Sequence, residues 1–148
     1  MNTLENDDEY IEYLSQLFKT IIMRIKESER SVDLIYLFYN TKFPNFPLFS
    51  YSTLLAINKS ELVRVTSQQC VLLIINMFSQ KKLNSNFLAE LPMLMMVYQL
   101  ISEFTSPKCD QDGLMKFLTD LLFELRHFRM VLLLINNFIF NYMGVANL

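Results

Sequence analysis

Turn-forming residues are scarce in this chain, which has 2 glycines and 4 prolines among 148 residues. Sheets and barrels built from hairpins usually need more turn residues than this, whereas long helices do not. Apolar residues recur every three or four positions, as Ile11, Leu14 and Phe18 do near the start. The sequence therefore predicts an all-α protein.

Helical periodicity, caps and breaks divide the chain into six or seven segments joined by short connections. The predicted helices are 8–27, 31–40, 47–57, 61–79, 84–90, 92–104 and one long helix from Asp110 or Asp112 to about Tyr142. Mostly paired helices predict one domain, 1–148, folded as a segment of an armadillo/HEAT-like helical solenoid. A closed helical bundle is the alternative, because no clean internal sequence repeat decides between the two.

Charge and cysteine usage exclude several classes of protein. The formal net charge is −2 and 19% of residues are charged, so no basic field is available to bind a nucleic acid. Cys70 and Cys109 lie in unrelated contexts, which indicates no disulfide framework and a reducing compartment. Cys70 lies in an apolar helical run and is expected to be a buried free thiol.

Catalytic and metal-binding patterns are incomplete. Glu124 and His127 form a Glu-x-x-His on a helix, with Asp120 one turn earlier, which is half of a carboxylate-bridged di-iron motif. His127 is the one histidine of the chain, so a second half does not exist, and a solvated helix face is the preferred interpretation. A four-ligand zinc site, a Gly-rich phosphate loop and a nucleophile with its base are not recognisable either. The sequence predicts no enzyme, no cofactor, no metal and no small-molecule substrate.

The C-terminal run 128–148 has a single charge, Arg129, and one interpretation is a membrane-spanning helix. Asn136, Asn137 and Asn141 interrupt this run, and its apolar period continues that of the residues from Leu114 onwards. The period favours an amphipathic helix packed inside a helical array.

Residues 37–78 carry an ordered set of motifs around a break that contains two prolines. They are Phe38-Tyr39-Asn40, then Phe46-Pro47-Leu48, then Leu62-Val63-Arg64 at the start of a long apolar helix. This order and spacing resemble the FPL-domain family, typified by the C-type lectin domain family 16 member A and Ema-like proteins. Leu37 and Gln68 depart from the family pattern, which has phenylalanine and arginine there.

The resemblance implies an armadillo-like scaffold or adaptor in endosomal–lysosomal trafficking and autophagy. Its partners would be proteins of that machinery, and its location would be the cytoplasm, peripheral to endosomal and Golgi membranes. The position of Arg64 makes it a candidate for holding the preceding loop through hydrogen bonds to carbonyl groups. A Bcl-2-like bundle that binds a partner helix in a groove is the alternative function.

Aromatic residues give the break 37–50 more apolar surface than an ordinary loop has. We expect a packed corner between helix pairs, with Phe38 and Phe46 as buried anchors and Pro47 opening the next helix. The alternative is that the corner is exposed and serves as a binding surface.

Overall fold

The computed structural model describes residues 3–39, 46–83, 85–104, 106 and 110–141. The α-helices of these residues are α1 (Thr3–Glu27), α2 (Ser31–Phe38), α3 (Pro47–Leu55), α4 (Glu61–Lys81), α5 (Leu91–Glu103), α6 (Gln111–Glu124) and α7 (Arg129–Ile139). Two 3-10 turns, Asn86–Ala89 and Leu125–His127, complete the secondary structure, and the described residues contain no strand. The predicted all-α class is confirmed.

Local chemistry explains where three of the helices begin. Pro47 occupies the first turn of α3. Backbone N–H groups in the first turn have no acceptor within the helix, so the missing N–H of proline costs no hydrogen bond. The side chain of Ser60 accepts a hydrogen bond from the Val63 N–H and caps α4. Asp110 caps α6 in the same way, its carboxylate accepting from the Gly113 N–H at 3.1 Å. The starts predicted for these helices are confirmed.

The helices lie in two layers. One layer contains α1, α4 and α6 side by side, with α4 in the middle. In the other layer α5 packs between α3 and α7, while α3 also packs against α4 and joins the two layers. Successive helix pairs of a solenoid have this layered order. A closed bundle around α4 is equally compatible with these contacts.

Polar pairs and packing neighbours show that the helices of the first layer run in the same direction. Gln16 of α1 donates a hydrogen bond to Thr66 of α4 (3.4 Å), and Lys19 donates one to Gln69 (2.7 Å). The two partners of each pair are 50 positions apart in the sequence. Asn76 donates to Glu124 of α6 at 3.0 Å, across 48 positions. The equal separation of the two α1–α4 pairs requires these helices to be parallel. α6 is parallel to α4 as well, because Gly113 lies near the start of α4 and Glu124 lies beside Asn76 further along it.

One hydrophobic cluster includes buried residues from all seven helices. α4 contributes more buried residues to it than any other helix, because it packs against α1, α3 and α6. The sequence predicts a central helix here from its apolar residues on most faces, and this is confirmed. By length and composition alone α4 would also suffice to cross a membrane, but half of its apolar window is buried inside the fold.

The predicted long helix from Asp110 or Asp112 to Tyr142 is wrong, because the chain leaves the helical conformation at Phe128 (φ −110°, ψ 67°). Arg126 donates to the Phe123 carbonyl at 2.7 Å and its guanidinium lies over the Phe123 ring, so the end of α6 is capped by a side chain. α7 then has 11 residues, with Val131 and Ile135 buried in the core. This fits the amphipathic interpretation of its sequence; residues 142–148 lie outside the described part.

Cys70 is a buried free thiol, as predicted, while Cys109 lies outside the described residues. Burial raises the pKa of the Cys70 thiol from 9.0 to about 11. The thiol of the unfolded chain therefore ionises at a lower pH than the thiol of the folded chain. The contribution of the buried thiol to folding stability is complete below pH 9 and is lost as the pH rises from 9 through 11.

We expect Cys70 in a Cys109→Ser protein to react with iodoacetamide at pH 8 at least about 100-fold more slowly when folded than in urea, because little thiolate forms. Mass spectrometry of timed samples measures both rates. Urea denaturation at pH 8 and pH 10, with Cys70→Ala as the reference, measures the pH-dependent stability. Equal alkylation rates would contradict the burial of this thiol.

Candidate functional site

The family-like motif builds the corner between α2 and α3. Phe46 is 2% exposed, and its ring centroid lies 5.4 Å from that of Tyr39, 5.6 Å from Phe78 and 5.3 Å from Phe87. Tyr39 is 4% exposed, and burial raises the pKa of its hydroxyl. These rings form an aromatic cluster at the end of α4. The prediction that Phe46 is a buried anchor is confirmed.

The matching prediction for Phe38 is wrong, since this side chain is 39% exposed. α2 ends at Phe38, and Tyr39 adopts an extended conformation (φ −128°, ψ 121°) with its N–H bonded to the Ile35 carbonyl. The change of backbone conformation directs Tyr39, rather than Phe38, into the core. Asn40 lies outside the described residues.

The remaining motif residues also serve the packing of the corner. Pro47 opens α3 and is exposed, whereas Leu48 and Val63 are buried. Arg64 donates from Nη1 to the carbonyls of Asn58 (3.3 Å) and Lys59 (3.4 Å), which confirms that it holds the preceding loop. Because Tyr39, Phe46, Leu48 and Val63 pack inward, we looked for a candidate binding surface along α4.

A groove runs along the outer face of α4 between α1 and α6. Its floor consists of Val65, Gln69, Leu72 and Asn76, which are spaced at helical intervals and form one stripe. Two adjoining hollows of about 510 and 340 Å³ share Gln69 and Leu72 and make the groove continuous. Volumes of this size suit side chains of a partner rather than a single ion.

The wall formed by α1 is basic. Lys19 and Lys26 line the groove on this side, and Lys19 donates to the Oε1 atom of Gln69 on the floor. Lys59, in the connection between α3 and α4, extends the basic lining towards the start of α4.

The opposite wall, formed by α6 and the end of α5, is mainly acidic. It contains Glu103, Asp110, Asp120 and Glu124, with Lys116 as an exception. Both helices line the smaller hollow, where Lys19 and Lys26 of α1 and Glu124 of α6 surround a floor of apolar and amide side chains; the larger hollow is lined by α6 but not by α1.

Two residues of the Glu-x-x-His pattern, for which the sequence favours a solvated helix face, have different environments. Glu124 is half-buried and accepts a hydrogen bond from Asn76, so the interpretation of a wholly solvated face is wrong for this residue. His127 is exposed in the 3-10 turn that follows α6. Within the described ranges no group of three His, Cys, Asp or Glu side chains could hold a metal ion.

Sequence reasoning missed the floor of the groove. The signal was available in α4, where Leu72 and Leu73 widen the apolar stripe beyond the width that one buried face needs. Without the positions of α1 and α6, these residues are indistinguishable from core residues.

The described residues form an all-α protein with a groove along α4. A family model, FPL, described as an uncharacterised conserved protein, matches residues 1–75, about half of the chain. The chain belongs to the FPL family. No curated protein and no solved structure matches it.

Proposed function

We propose that this chain is a non-catalytic interaction domain that acts as an adaptor in endosomal–lysosomal trafficking and autophagy. The observation that carries the proposal is the groove along α4, a concave surface with apolar and amide side chains on its floor and charged residues on its walls. Solenoid proteins use concave surfaces of this kind to bind other proteins.

The cellular context of the proposal comes from the ordered motifs. They resemble those of C-type lectin domain family 16 member A and Ema-like proteins, and the match over residues 1–75 supports the FPL family as a whole. We place the chain in the cytoplasm, peripheral to endosomal and Golgi membranes, with proteins of the trafficking or autophagy machinery as partners.

Affinity purification of the tagged chain, followed by mass spectrometry, tests this function. We compare the wild type with Gln69→Trp, which puts a bulky ring on an exposed position in the middle of the groove floor. Gln80→Trp is the matched control, because Gln80 is exposed on the same helix and does not line the groove. Wild type and Gln80→Trp should recover endosomal, Golgi or autophagy proteins, and Gln69→Trp should lose them.

Two results would contradict the proposal. Recovery of apoptotic regulators would indicate the Bcl-2-like alternative. Equal recovery by all three proteins would show that the partners bind outside the groove.

A further inference from the structure

The floor of the groove has the length and periodicity of a short helix. From Val65 to Asn76 α4 rises about 16 Å, which corresponds to about three helical turns of a parallel or antiparallel partner. Val65 is 43% exposed, and Leu72 is half-buried two turns further on. Two apolar positions at this separation can contact apolar side chains at i and i+7 of a helix bound in the groove.

Charged residues of α1 and α6 line the walls. Lys19 and Lys26 lie two turns apart on α1, and Asp120 and Glu124 lie on successive turns of α6. A peptide that binds by strand addition needs backbone donors and acceptors at a sheet edge, and the described residues contain no strand. A helix satisfies its own backbone and offers only side chains, which suits these walls.

We propose that the groove binds an amphipathic helix of a partner protein, with its apolar face on Val65 and Leu72, its acidic flank against α1 and its basic flank against α6. The inference rests on the proposed interaction function and names the class of partner that the groove accepts. Opposite charges on the two walls fix the direction of the bound helix, because reversing the helix would place each flank against a wall of like charge.

Three synthetic peptides of 14 residues are the probes. All three carry leucines at i, i+3, i+4 and i+7; one has glutamates on one flank and lysines on the other, one has glutamates on both flanks, and one has lysines on both. Fluorescence polarisation with the full chain should show binding of the mixed peptide at least about 10-fold tighter than of either uniform peptide, because each uniform peptide meets one wall of like charge. The preference should weaken in 0.5 M salt, since the walls are exposed to solvent.

A wall-reversal variant sharpens this test. Lys19→Glu with Lys26→Glu makes both walls acidic, so the preferred peptide should change from the mixed one to the one with lysines on both flanks. Arg24→Glu with Lys81→Glu is the matched control, since it changes the net charge equally at two residues that do not line the groove. Circular dichroism and the melting temperature of each variant establish that the fold is retained.

The outcomes separate the inference from the proposed function. Equal binding of the three peptides, no binding of any of them, or an unchanged preference after wall reversal would overturn the inference. A second copy in the groove would also overturn it, and sedimentation of the chain alone would then show a dimer that the mixed peptide dissociates. If trafficking proteins depend on Gln69 while no peptide binds, the proposed function stands and the helical ligand is wrong. If the mixed peptide binds while cells yield no trafficking partner, the inference stands and the proposed function fails.

Discussion

Replacing Phe46 by alanine is expected to lower the free energy of unfolding by about 3–5 kcal/mol. The ring is 2% exposed and packs against Tyr39, Phe78 and Phe87, so its removal leaves a cavity among side chains from α4 and from the turn Asn86–Ala89. Urea denaturation followed by circular dichroism measures the change.

Phe38→Ala is the matched control for this measurement. Phe38 lies in the same family-like motif but is 39% exposed, so we expect a loss of less than about 1 kcal/mol. Similar losses for both variants would contradict the inward packing of Phe46, and a negligible loss for Phe46→Ala would make the corner a surface.

Phe87→Ala should cost a similar amount, about 3–5 kcal/mol. Its ring centroid lies 5.4 Å from Tyr39, 5.3 Å from Phe46, 4.8 Å from Phe49 and 4.7 Å from Phe78. Residue 87 lies beyond the family match, which ends at residue 75 inside α4. The prediction therefore states that the matched segment depends on a side chain outside it for its stability.

A double-mutant cycle with Phe46→Ala and Phe87→Ala tests the contact itself. The combined loss should be smaller than the sum of the single losses by about 0.5–1.5 kcal/mol, because each single variant already removes the contact between the rings. All four proteins are compared by urea denaturation. Additive losses would show that the rings contribute independently, and a neutral Phe87→Ala would show that residues 1–75 form their corner without it.

Local sequence chemistry predicted the parts of the fold that local chemistry determines. Pro47 and Ser60 mark the starts of α3 and α4 because a missing donor and a capping hydroxyl act within one helical turn. Arg64 reaches carbonyls five and six positions earlier, which is also a short-range effect.

The apolar periodicity did not predict the break after α6, because the backbone changes direction there while the spacing of the apolar residues stays the same. Leu125 is fully buried in the 3-10 turn, and the intervals from Leu121 to Leu125, Phe128 and Leu132 remain three or four, so the break after α6 leaves no mark on the pattern. Neither proline nor glycine lies there. At the corner, one extended residue was enough to exchange the roles of Phe38 and Tyr39.

The groove could not be predicted from the sequence because its floor and walls are about 50 positions apart. Amphipathic patterns show which side of a helix is buried, but they do not show which two helices flank its other side. The basic and acidic walls become opposite one another only when α1 and α6 are both placed beside α4.

Parallel stacking of α1, α4 and α6 also constrains the order in which the chain folds. The bonds from Gln16 to Thr66 and from Asn76 to Glu124 each close a loop of about 50 residues. Closing such a loop costs chain entropy before the contacts that offset this cost have formed. Neighbouring helices such as α3 and α4 can pair through a short connection. We therefore expect α3 and α4 to form the folding nucleus, with α1 and α6 docking on it afterwards, so that the groove is completed last.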